Sequence, residues 1–270
     1  CDTIPPSWVP LCNEPRVDGV LCPSQFVLDA CVRSGVHKEK LHYVPHGYDP
    51  EIFKPIQIPR PDNKFTFLFP KGWVKGVNDR TGFDLALRAF VEEFKKDEPV
   101  KMIAKFNPAY IPQGWDLTQE VKKLGLDLRN APEVQMTTAN ITLQQINELY
   151  NLADCVVVPT KGEAFGLPLI EAMACGVPII TTDYGGQAEF AFPSIIQTTK
   201  GQAMDGVLYE DCEWGYADVN DIRLAMREIY QKMHDATFNT LTRKECVERA
   251  GRYTWSKSAE RLVQAVNPEF

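Results

Sequence analysis

One stretch, Asn151 to Glu189, restricts this chain more than any other: NLADCVVVPTKGEAFGLPLIEAMACGVPIITTDYGGQAE. CVVVP is short, apolar and β-branched, which reads as a strand buried on both faces of a parallel sheet. TKGEAFG, with two glycines and two charges, reads as a loop. LPLIEAMACG then reads as a helix. Pro168 suits its first turn, Leu169, Ile170, Met173 and Ala174 make its apolar stripe, and Gly176 ends it. VPIIT is a second buried strand and DYGGQAE a second loop. A strand–helix–strand unit of this kind takes a right-handed crossover.

Such a unit places its first loop where chemistry is expected. In an open α/β sheet, ligands bind beyond the carboxyl ends of the strands, against helix N-termini. Unpaired amides and the helix dipole there favour an anion such as a phosphate. Gly162 and Gly166 allow close approach to the backbone of loop 161–167. Glu163 stands in that loop and Glu171 in the first turns of the helix, off the apolar stripe. Acids beside an anion site make sense when the ligand also carries hydroxyls, as a sugar nucleotide does. The bland alternative is a solvated Glu163 and a Glu171 stabilised only by the helix dipole.

Glu163-AFGLPLI-Glu171, followed by AMACGVPII, resembles the donor-site signature of nucleotide-sugar glycosyltransferases of the two-Rossmann-domain (GT-B) type, family 4 above all. Two glutamates at that spacing mean little alone; with FGLP, EAMACG and the flanking strands the pattern is specific. The resemblance implies that Glu163 touches the donor sugar and Glu171 the ribose hydroxyls. It implies that the backbone of Phe165, Gly166 and Leu167 faces sugar and phosphate, with Gly162 and Ala164 in the same donor-binding set. It implies transfer with retention, no cofactor and no metal, and a UDP-, GDP- or ADP-sugar as substrate. The acceptor would be a sugar, a glycan or a lipid-linked group.

The basic loop KGWVKGVNDRTG lies between the strand KFTFLFP and the amphipathic helix GFDLALRAFVEEFKK, the right place for a diphosphate clamp. Members of the resembled family carry an arginine and then a lysine immediately before the glycine that opens this helix. Here Thr81 precedes Gly82, a departure. Arg80, Lys75 and Lys71 are the candidates to supply the charge, Arg80 and Lys75 as catalytic groups and Lys71 as a binding group. A guanidinium suits bidentate phosphate contact better than an ammonium.

The remainder alternates strands and helices, which predicts an α/β fold: a Rossmann-like parallel sheet with helices on both faces. Ahead of it, VDGVLCPS, QFVLDACVRS and KLHYVP read as strand, helix and strand, with Ser24 as N-cap and Gly35 as the stop. Two strands are too few for a doubly wound domain, and the stretch matches the end of the family's acceptor domain. The resemblance thus divides the chain into the end of an acceptor domain (1–45), a proline-bearing linker (46–63), a donor-binding domain (64–252) and a C-terminal helix (253–270). That helix is expected to pack back through Trp255, Leu262, Val263 and Val266. His46, at the linker's start, reads as a turn residue, with a catalytic base as the alternative. Residues 1–16 read as irregular, as does most of VLYEDCEWGYADVND.

A net charge of −7 argues against nucleic acid as a partner, and no apolar run is long enough to span a membrane. Eight cysteines without a CxxC point to a reducing, cytoplasmic setting, peripheral to a membrane as a variant; a disulfide among Cys12, Cys22 and Cys31 is the alternative for those three. The rival to catalysis is a nucleotide-sugar binding module, inactive without the rest of the cleft or a partner chain supplying the acceptor domain. An exposed apolar face on residues 1–45 and the last helix would favour it. An epimerase or phosphorylase of the same architecture is a third class.

Overall fold

The computed structural model describes residues 2–73, 79–111, 114–204 and 212–267. A small unit comes first: α1 (Trp8–Asn13), β1 (Val20–Cys22), α2 (Gln25–Ser34) and β2 (Leu41–Tyr43). β1 and β2 pair in parallel, Val20 opposite Leu41. Ser24 caps α2 by accepting from the Val27 amide at 3.1 Å, and Gly35 ends it at φ 97°. Helix α1 departs from the irregular chain expected. Pro10 falls within its first turn, where amides have no helical acceptor in any case.

A larger unit follows: β3 (Phe65–Phe69), α3 (Phe83–Glu93), β4 (Val100–Lys105), α4 (Leu117–Lys123), β5 (Glu133–Thr137), α5 (Leu143–Leu152), β6 (Cys155–Val158), α6 (Leu167–Ala174), β7 (Ile179–Thr182) and β8 (Pro193–Ile196). Its six strands are parallel in the order β5-β4-β3-β6-β7-β8. The chain therefore winds one way from β3 and, restarting at β6 beside it, the other way. Right-handed crossovers running in opposite directions put their helices on opposite faces. β3, β6 and β7 are buried at every position, as β-branched and aromatic runs require.

β9 (Thr198–Gln202) and β10 (Glu213–Ala217) form an antiparallel pair where little regular structure was expected. α7 (Val219–Lys232), α8 (Ala236–Ala250) and α9 (Trp255–Val266) complete the chain. α7 packs with α3, and α8 and α5 with α6.

The two units are stitched together near the carboxyl edge of the sheet. Glu189 accepts from the Gln25 amide at 2.5 Å and from Tyr43 Oη at 2.8 Å. Tyr48 bridges to Thr254, and Ser258 Oγ donates to the Pro45 carbonyl at 2.6 Å. α9 thus docks on the start of the linker through backbone and hydroxyl groups. Of the apolar side chains expected to make that contact, Trp255 sets its ring 5.9 Å from that of His46, while all four keep much of their surface open. Trp255 is 45% exposed, Leu262 38%, Val263 48% and Val266 74%. Cys12, Cys22 and Cys31 are free thiols gathered in one small apolar cluster. Among the described residues no helix is long and apolar enough to cross a membrane.

Candidate active site

The strand order reverses between β3 and β6, and a crevice at such a reversal is where open α/β sheets take ligands. Two loops meet there: the described residues 70–73 and 79–82 after β3, and 159–166 after β6. Gly82 makes the meeting possible. It sits at φ 79° as the N-cap of α3, and a Cβ there would lie 2.1 Å from the Pro159 carbonyl oxygen. Lys161 N donates to the Arg80 carbonyl at 2.8 Å, a second backbone tie between the loops.

Glu163 receives both cations of this crevice that sequence reasoning placed within the described residues. Lys71 Nζ donates to its Oε2, and Arg80 Nη1 to its Oε1 and to the Gly162 carbonyl. The Glu163 and Lys71 side chains are about nine-tenths buried. Burial alone would raise the Glu163 pKa. The charges of Lys71 and Arg80, with their hydrogen bonds, outweigh it and bring the carboxyl down to about 2. Burial, joined by the Arg80 charge, pulls Lys71 below the usual ammonium range against the attraction of Glu163. Lys75 lies outside the described residues. Thr81, at the position of departure, donates to the Gly72 carbonyl at 2.7 Å and to Asp79 at 2.5 Å, so it serves the loop's shape.

The backbone of Glu163 is pinned from behind. Gly186 N donates to its carbonyl at 2.9 Å. Gly185 adopts φ 134°, and a Cβ there would come within 2.8 Å of both Glu163 N and O. Nothing among the described residues accepts from the amides of Glu163, Ala164, Phe165, Gly166 or Leu167. Gly166 is the N-cap of α6 with φ 101° and offers no side chain in exchange. This end of α6 thus has amides to give and a positive dipole end. Gly162 differs from its neighbours, since its carbonyl is taken by Arg80 and its amide reaches Thr160 Oγ1. Phe165 contributes backbone only. Its ring is 2% exposed, against Phe190, Tyr253 and His46. His46 itself is exposed at the linker turn, its pKa lowered by partial burial of the ring.

Glu171 has different company. It lies on α6 and accepts from Tyr150 Oη of α5 at 2.9 Å. Burial raises its carboxyl to about 7, with the Tyr150 bond pulling the other way. No spacing in the sequence announces Tyr150, and none announces Lys161. Lys161 is 3% exposed; its Nζ donates to the Asp79 carbonyl at 3.0 Å, with the rings of Trp214 and Tyr216 about 6 Å away. The β9–β10 pair reaches the same loop, Gly215 N donating to the Lys161 carbonyl at 2.9 Å.

Residues 56–203, more than half of the chain, match the family model described as Glycosyl transferases group 1. The chain belongs to the group 1 glycosyl transferases. Among relatives in this family, it is 27% identical over 242 residues to D-inositol 3-phosphate glycosyltransferase 1 of Catenulispora acidiphila, covering 85% of this chain and 52% of that one. A glycosyltransferase from Rickettsia africae superposes with a TM-score of 0.75 at 15% identity, over 98% of this chain and 68% of that one. Anabaena HepE, solved with UDP and glucose, superposes with a TM-score of 0.71 at 18% identity, over 97% and 66%. At such identities the solved structures speak for the fold. The chain spans about half the length of the curated relatives it matches.

Proposed function

We propose that this chain is the donor-binding half of a retaining glycosyltransferase that takes its sugar from a nucleoside diphosphate. The observation that carries this is the convergence of Lys71 and Arg80 on Glu163, beside the amides of 163–167, which have no acceptor among the described residues, at the point where strand order reverses. A diphosphate in the crevice meets two cations that converge on the Glu163 carboxylate, together with the N-terminus of α6. Negative charge developing on the departing diphosphate would be stabilised by groups already in place, which is electrostatic catalysis. Glu163 holds those cations and retains acceptor capacity for a sugar hydroxyl, since a carboxylate offers about four lone-pair sites. Glu171, once ionised, is an acceptor for ribose hydroxyls. The UDP and glucose held by the Anabaena relative support the same donor class.

The second reading, nucleotide-sugar binding without turnover, is favoured by one specific observation. Trp8, Leu11 and Leu21 in the first unit, like Trp255 and Val263 in the last helix, expose large apolar surfaces. Faces of that kind call for a cover, whether further chain or a partner supplying an acceptor domain.

The test is a calorimetric titration of the 270-residue chain with UDP, GDP and ADP, followed by donor hydrolysis assays with and without sugar acceptors. Binding with turnover supports the enzyme reading. Binding alone supports the second. A chain that binds none of the three refutes both.

A further inference from the structure

At the opposite edge of the sheet lies a cleft of about 830 Å³ that the donor crevice does not include. One wall is the linker, from Pro55 to Arg60. The other is the C-terminal end of α6 at Cys175 and Gly176, with Arg243, Lys244 and Val247 of α8. Its place follows from the parallel sheet. Asp154 directly precedes β6, whereas the donor loop follows it.

The charge of this cleft runs against that of the chain. The protein carries a net charge of −7, yet the cleft is lined by three cations, Arg60, Arg243 and Lys244, and by no acid. Asp154 stands just behind. It accepts from both terminal nitrogens of Arg60 at 2.7 Å and from the Thr66 amide at 2.9 Å. Arg243 donates to Asn239 Oδ1 at 2.7 Å and to the Gly176 carbonyl at 3.3 Å, and reaches the same carboxylate only at 3.4 Å. One carboxylate is therefore shared by two guanidiniums, and Lys244, in a loose and exposed pair with Glu248 at 3.7 Å, adds a third cation. Burial lowers the Arg243 pKa, with the Asp154 charge opposing and the Arg60 charge adding to it, so this guanidinium is held charged in a partly desolvated place. Ile56, Ile58 and Val247 make the rest of the lining apolar.

We infer that this cleft binds a small phosphomonoester with an apolar or ring-bearing body. Two guanidiniums and an ammonium are the groups that hold a dianion in a partly desolvated place, and the volume falls within the range of small-molecule sites. The linker wall is already held to the donor domain by the Ile56 amide on Asn151 and by Arg60 on Asp154, so the cleft is formed before any ligand enters.

Phenyl phosphate is a suitable probe, with phenol as the uncharged control, titrated against the whole chain by calorimetry and protein-observed NMR. Phenyl phosphate binds in a salt-sensitive way, phenol does not, and the resonances that move include Ile56, Ile58 and Val247. Lys244→Glu alters a residue whose side chain is 72% exposed and leaves the fold intact; it weakens the probe about five- to tenfold. Arg60→Gln weakens it further, and saturating UDP leaves it unchanged. Equal affinity in the wild type and Lys244→Glu, or displacement of the probe by UDP, overturns the assignment.

Discussion

Tyr150 Oη donates to the Glu171 carboxylate at 2.9 Å, joining α5 to α6 through a carboxyl that burial has raised to about 7. Only the ionised form is a pure acceptor for hydroxyls. Nucleotide affinity is therefore expected to rise as pH increases through about 7. Tyr150→Phe removes a bond that favours the charged form, so its affinity profile moves to higher pH. Folding stability runs the other way. A raised acid binds its proton more tightly in the folded state, so its contribution is complete below about pH 4.5. It falls by roughly 3 kcal/mol as pH rises to about 7, then levels off. Calorimetric titrations with UDP at four pH values check the first expectation, and urea unfolding at the same values the second. A flat affinity profile would remove Glu171 from the ribose contact.

Glu163 has the opposite sign. Its carboxyl is depressed to about 2 by Lys71 and Arg80, so the stability it brings is present above about pH 4.5 and lost as pH falls towards 2. Glu163→Gln takes the nearest counter-charge from a buried ammonium and a partly buried guanidinium. A loss of about 3 kcal/mol is expected, with donor turnover falling as the cations lose their orientation. Thermal unfolding of the variant at pH 7 and pH 3 decides this: the wild type and the variant should differ widely at pH 7 and less at pH 3.

Gly82 allows the two loops of the crevice to touch. With φ 79° and a Pro159 carbonyl oxygen 2.1 Å from any Cβ, it has no room for alanine. Left-handed backbone and a clash with main chain add together, and Gly82→Ala is expected to cost about 3 kcal/mol. Because the clash separates the β3 and β6 loops, nucleotide binding should fail even at temperatures where the variant is still folded. Chemical denaturation with a parallel UDP titration reads both effects.

What was legible in the sequence was local. The β-branched run of β6, the proline at the second position of α6 and the glycine after its end each act over a few residues, and the unit folds as they indicate. The capping box of α5, Thr142 with Gln145, is present for the same reason. What escaped reading was set by distance along the chain. Lys71 and Arg80 meet Glu163 across more than eighty residues because β3 and β6 are neighbours, and spacing alone could not choose among the three candidate cations. β9 is polar and half-exposed, without the apolar alternation that announces a strand, and β10, which buries Trp214, finds its partner only across a connection. The last helix shows the converse. Its apolar stripe was plain, but a stripe does not say what it faces, and here Val266 is open to solvent while Trp255 is only half covered, beside His46.

Glu189 links the first unit to the turn that supports the donor loop. It caps α2 at the Gln25 amide, receives Tyr43, and belongs to the same short 3-10 turn as Gly186, whose amide holds Glu163. Removing its carboxylate in Glu189→Ala unties the N-terminus of α2 and leaves the six-stranded sheet untouched. A loss of about 1–2 kcal/mol is expected, confined to the first unit. Hydrogen exchange resolved by residue tests it. Amides of 20–43 should lose protection while those of β3, β6 and β7 keep theirs. Equal loss in both would mean that the units unfold as one, and no change in 20–43 would mean that the remaining contacts, among them Phe26 with Tyr184, Asp2 with the Glu213 amide and 45–48 with α9, hold the unit in place.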